Sequence, residues 1–152
     1  MKIRGEAKLF YDYTKTVTAL ARHLLAQDPD HNDERIAELI AEALTVAKRM
    51  GYPDLEARAL IAKGKHFVRT GAGKAEQDLC FRDAIERATD PALKAGAHQE
   101  LASSWHRVGK LSMAKQSARQ AVKWWKVAGD DARSESLQGW IDGKRRELVS
   151  VP

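Results

Sequence analysis

Residues 101–125 read LASSWHRVGKLSMAKQSARQAVKWW. Leu101-Ala102 is followed by the aromatic Trp105, then by Gly109, then by Ala114, Ala118 and Ala121. Alanines spaced four and three residues apart share one face of an α-helix, because a helix turns once in about 3.6 residues. Gly109 falls between two such stretches and ends the first at an inter-helix turn. The segment reads as a helix pair. Small side chains let two backbones approach closely, and one large ring fills the gap beside them.

The same periodicity extends in both directions. Near the start, Phe10, Tyr13, Val17, Leu20 and Leu24 form one apolar stripe. QDPDHND ends that helix with Pro29 and a capping Asn32 or Asp33. A second helix, ERIAELIAEALTVAKRMG, stops at Gly51, and Pro53 opens a third that ends at Gly71. A fourth is expected over about Lys74–Thr89, with Leu79, Cys80, Ala84, Ile85 and Ala88 along it. Asp90-Pro91 breaks it and opens the fifth, and Gly109 and Gly129 end the fifth and sixth. A last helix is expected over about Ala132–Val149, with an apolar edge at Leu137, Trp140, Ile141 and Leu148. Seven helices with almost no β-type alternation make the chain all-α.

The helices repeat in pairs. Ala43, Ala84 and Ala121 correspond, each followed by Leu44, Ile85 or Val122. First helices align as Val17–Leu20–Ala21–Leu24, Leu60–Lys63–Gly64–Phe67 and His98–Leu101–Ala102–Trp105. This pattern resembles the tetratricopeptide repeat, with residues 101–125 the best match. The second pair matches at Gly64, Phe67, Gly71, Phe81 and Ala84 but departs at Lys63, where that family usually has an apolar residue. The first pair matches loosely. EALTVAKRMGYPDLEARALIAKG looks like the repeat junctions of bacterial regulatory and signalling proteins of the family. The resemblance implies a right-handed helical solenoid filling one domain, 1–152, with pairs at about 8–51, 53–89 and 91–129. A helix at about 132–149 would then cap its open end.

Composition narrows the function classes. The chain has 152 residues, 43 % hydrophobic and 31 % charged, with a net charge of +5 and a pI near 9.4. No apolar run approaches the ~18 residues of a bilayer span. The N-terminal MKIRGEAKLFYDYTK is charged and is not read as a signal peptide. A cytoplasmic location is the expectation, and no membrane partner is expected. Cys80 is the single cysteine, so neither a disulfide framework nor a thiolate zinc site is expected. The five histidines are scattered, and no H-E-x-x-H, G-x-S-x-G or Gly-rich phosphate loop occurs. TGAGKAEQD (70–78) lacks phosphate-loop spacing and reads as an inter-helix turn, and DPDHNDE reads as a solvated capping loop. No enzyme activity, cofactor or metal is expected.

What remains is a surface. In the family resembled, the first helices of the pairs line a concave groove that binds peptides. Carried over, that groove has Lys15, Thr18 and Arg22 from the first pair and Arg58, Ile61, Lys65 and Arg69 from the second. The third pair supplies Gln99, Ser103, His106 and Arg107. The polar positions include six Lys or Arg and no acid. Glu34, Glu38, Glu42, Asp78, Asp83 and Glu86 lie instead on second helices. A basic wall of this kind focuses field on an anionic ligand, and Arg forks onto carboxylates. The expected function is a protein- or peptide-interaction module, an adaptor or ligand-sensing domain, that takes an acidic or carboxylate-bearing segment. Nucleic-acid binding and structural homo-oligomerisation are the alternatives. Of the adjacent tryptophans, Trp125 is expected inside its own helix pair and Trp124 against the last helix.

Overall fold

The computed structural model describes residues 5–26 and 33–148. It is all-α. Among the described residues the helices are α1 (Gly5–Ala26), α2 (Asp33–Met50), α3 (Pro53–Thr70), α4 (Lys74–Arg87), α5 (Pro91–Arg107), α6 (Leu111–Val127) and α7 (Asp131–Ile141). No strand is present among those residues. The expected linker Gln27–Asn32 lies outside them. No helix among them is long and apolar enough to cross a membrane. The chain divides into two compact units, Met1–Cys80 and Phe81–Pro152, with the boundary inside α4.

In the first unit α1, α2 and α3 pack against one another. The α2 stripe behaves as its spacing predicts. Ile36, Leu39, Ile40, Ala43, Leu44 and Ala47 are all buried. The α1 stripe does not. Val17 is buried, but Tyr13 and Leu20 are exposed, and the buried neighbour is Thr18 at 2 %. The core-facing side of α1 is therefore rotated toward Tyr11, whose ring meets Tyr52 edge to face at 5.1 Å. Tyr13 instead donates its hydroxyl to Glu42 on α2. That bond is made by the neutral phenol, so the hydroxyl titrates above its ordinary value. At the end of α3 the Ala72 amide donates to Phe67 O, and the Gln77 side chain donates to Ala72 O across the turn. TGAGK is thus a turn that opens α4. Leu79, expected on the apolar face of α4, is exposed, whereas Cys80 is buried.

The second unit is built on the α5–α6 hairpin and α7. Asp90 caps α5: its carboxylate accepts from the Ala92 amide at 3.0 Å, and Pro91 takes the first helical position. Lys94 Nζ donates to Ile85 O, one of the last carbonyls of α4, which have no partner within their own helix. Gly109 adopts φ +78°, and the Lys110 amide closes the turn onto Trp105 O. That left-handed conformation strains any residue with a Cβ. Ala95, Ala102, Ala114, Ala118 and Ala121 are fully buried in one cluster. Five methyl-sized side chains let the helices close up, and Val122, Trp125, Leu137, Trp140 and Ile141 fill the remaining space.

One expectation needs correction here. Helix α7 ends at Ile141 rather than near Val149. Gly143 turns left-handed at φ +76°, and the Lys144 amide donates to Gly139 O. The Arg145 side chain then lies 3.5 Å from where a Cβ on Gly139 would sit. The basic segment after the helix folds back over a glycine instead of continuing the spiral. Trp124 is half-buried against the cluster that includes Leu137, Trp140 and Ile141, and Lys94 Nζ of α5 lies 5.5 Å above its ring. A cation from α7, Arg133, lies over Trp125 at 5.1 Å. Trp125 is buried inside its own pair as expected, and it also forms the joint to the final helix.

Candidate functional site

The residues expected to form a basic groove separate into different environments. In the first unit, Lys15 is exposed and Thr18 is in the core. The Arg22 side chain lies outside the described residues. Arg58, Lys65 and Arg69 are half-buried along α3, and Lys65 and Arg69 already have partners within the chain.

In the second unit, the α5 face expected to be open is covered at Gln99 and Ser103 and exposed at His106 and Arg107. Gln99 is only 8 % exposed, and its Oε1 accepts from Trp125 Nε1 at 2.9 Å. Ser103 is equally buried, with no hydrogen-bond partner for its hydroxyl among the described residues. His106 packs edge to face on Trp140 at 5.5 Å. Only Arg107 is exposed without such a contact. Gln99 and Ser103 are covered for one physical reason, while His106 stays exposed beside its ring contact. The large rings of α6 and α7 lie over this side of α5 and turn a prospective groove into core.

A concavity lies on the other side of α5. His98, Leu101 and Trp105 sit at i, i+3 and i+7, one stripe of the helix. They form the floor of a cleft of about 430 Å³. Arg82, Ile85 and Glu86 of α4 form one wall, and Met113, Gln116, Ser117 and Gln120 of α6 form the other. Ile85, Leu101, Trp105 and Met113 make the interior apolar. The glutamines, spaced i and i+4 on α6, and the Arg82–Glu86 pair, spaced likewise on α4, supply a polar rim. Small apolar hollows with a few convergent polar groups are the usual form of a recognition site.

His98 is the one floor residue with a displaced titration. Burial, helped by the positive charge of Lys94, pushes its imidazole down to about 4. At neutral pH the ring is uncharged, so it presents one donor and one acceptor nitrogen. Nothing in the cleft pairs a nucleophile with a base. Among the described residues no three His, Cys, Asp or Glu side chains converge as metal ligands do.

Sequence reasoning aligned His98 with Leu101 and Trp105 but read the set as helix packing and not as the floor of a cleft. The available signal was the Gln116–Gln120 spacing on α6 beside Met113. That is a polar rim next to an apolar residue that the helix pair does not need.

Electrostatics singles out the same unit. The hairpin, residues 91–129, carries seven Lys or Arg and one acid, Glu100. Glu100 is only 3 % exposed. The excess of the hairpin alone is larger than the net +5 of the whole chain. Comparison of the chain with protein-family models, with curated proteins and with solved structures gives no match.

Proposed function

We propose that this chain is a protein-interaction module that holds a peptide segment of its partner in the α4–α5–α6 cleft. The observation that carries the reading is the cleft itself. It has an apolar floor with an indole and a polar rim of Gln116, Ser117, Gln120, Arg82 and Glu86. A tetratricopeptide-type repeat is the architecture we assign to it. Alanines at the α5–α6 contact and the left-handed Gly109 turn support that assignment. The site differs from the one the resemblance implies, because the first-helix face of α5 is occupied by Trp125 and Trp140. The reading of an acidic partner is supported by the unbalanced positive charge of the hairpin.

The test is selection of random peptides displayed on phage, followed by binding to two variants. Met113→Glu with Gln120→Glu alters exposed cleft positions. Arg58→Glu with Lys65→Glu and Arg69→Glu alters α3. Selected peptides should lose the first variant and keep the second. Peptides that lose only the α3 variant, or a selection that enriches nothing, would contradict the proposal.

A further inference from the structure

The outer face of α6 carries a second feature, parallel to the cleft. Lys115, Arg119, Lys123 and Lys126 occupy i, i+4, i+8 and i+11, and α6 contains no acid at all. Each four-residue step advances about 6 Å along the helix and about 40° round it. The four cations therefore form one row about 16 Å long. Arg119, Lys123 and Lys126 are exposed, and Lys115 is half-buried. None of the four side chains makes an ion pair or hydrogen bond among the described residues. Arg119 and Lys123 lie three residues beyond Gln116 and Gln120, so the middle of the row borders the cleft while Lys115 and Lys126 sit further round the helix.

Two surfaces on one helix define what fits both. A polyphosphate duplex would use the cations and leave the apolar hollow unfilled. A lipid surface needs an apolar helix face to enter it, and that face of α6 (Ala114, Ala118, Ala121, Val122, Trp125) is buried. An amphipathic helix with carboxylates on one side and an apolar edge beside them satisfies the row and the cleft together. Its acids at i and i+4 are separated by the same ~6 Å step as the cations.

We infer that the partner segment is an acidic amphipathic helix laid along α6. Its carboxylates face Lys115, Arg119, Lys123 and Lys126 while one apolar side chain enters the cleft over Trp105. This inference rests on the peptide-binding reading above and adds the conformation and charge pattern of the peptide. Exposed charge pairs are individually weak, and four in register amount to roughly 30-fold in affinity. Salt screens them, so the gain shrinks as ionic strength rises.

The experiment uses the full chain and a synthetic helical peptide with Glu at i, i+4, i+8 and i+11 and an adjoining Leu edge. Its controls are the same peptide with Gln for Glu, the same peptide with Lys for Glu, and a short DNA duplex. Binding is followed by fluorescence anisotropy. The Glu peptide should bind about 30-fold tighter than the Gln peptide at low salt. Arg119→Glu with Lys123→Glu should reverse the order, so that the Lys peptide becomes the tighter ligand. A fold defect does not produce that exchange. If Glu and Gln peptides bind equally, the inference fails and the cleft reading stands. If neither binds, both fail. A duplex that binds as tightly as the Glu peptide overturns the inference in favour of a nucleic-acid partner.

Discussion

Gln99 offers a test in which a surface role and a core role predict different numbers. On an open helix face, Gln99→Met changes stability by no more than about 0.5 kcal/mol. In the structure its Oε1 is the acceptor for a buried indole N–H at 2.9 Å. Replacing Gln99 by Met keeps the length of the side chain and leaves Trp125 Nε1 without that acceptor. The cost of an orphaned buried donor is about 1–3 kcal/mol. Trp125→Phe leaves the acceptor stranded instead and also removes part of a ring that is 4 % exposed. Its cost is higher, about 2–4 kcal/mol.

The double variant removes both polar partners, so its cost falls short of the sum of the two single costs by about 1–2 kcal/mol. Urea unfolding followed by circular dichroism gives each value, with the denaturant slope checked for constancy. Strict additivity, or a Gln99→Met cost near zero, would show that this pair does not hold α5 to α6.

Two further outcomes concern titration and the end of α7. The His98 imidazole is held near 4 in the fold against an ordinary 6.5. Between these values the unfolded chain binds more protons than the folded one, so stability falls as pH drops from about 6.5 toward 4. The full shift corresponds to about 3 kcal/mol, and partial exposure of the ring reduces that to about 1–2 kcal/mol. His98→Gln should flatten this limb of the pH–stability curve, and an unchanged limb would assign it to other groups. Gly139→Ala should stabilise the second unit by about 0.5–1 kcal/mol. The new Cβ would meet only the flexible Arg145 side chain, at an ordinary 3.5 Å. A loss of thermal stability would mean that the segment after α7 needs closer contact than this.

Helix boundaries were legible wherever local chemistry sets them. Asp90-Pro91 caps and starts α5, and Gly109 closes its end, as the sequence implies. α2 was legible because one side of it is core and the other is charged. α5 was not. Ala95, Gly96, Ala97, Gln99, Glu100 and Leu101–Ser104 are all buried, so most of its circumference is covered and periodicity marks no open side. A glutamine on such a helix satisfies a groove or a buried indole equally well, and only the position of Trp125 decides between them. The end of α7 was missed because the Gly143 turn competes with a run, KRRELV, that suits a helix. Docking of Arg145 over Gly139 accompanies the turn, and that contact has no sequence signature. The cleft was hidden for a related reason. Leu101 and Trp105 have the spacing of core residues, and one edge of them is core.

The four tryptophans provide the most direct test of where a partner binds. Trp105 lines the cleft, whereas Trp125 and Trp140 are buried on the covered side of the hairpin. Labelling with 5-fluorotryptophan gives four ¹⁹F resonances, assigned by single Trp→Phe variants. Saturation with a bound peptide should shift the Trp105 resonance and leave those of Trp125 and Trp140 in place. Movement of Trp125 and Trp140 with Trp105 unchanged would put the partner on the opposite face of α5 and contradict the account.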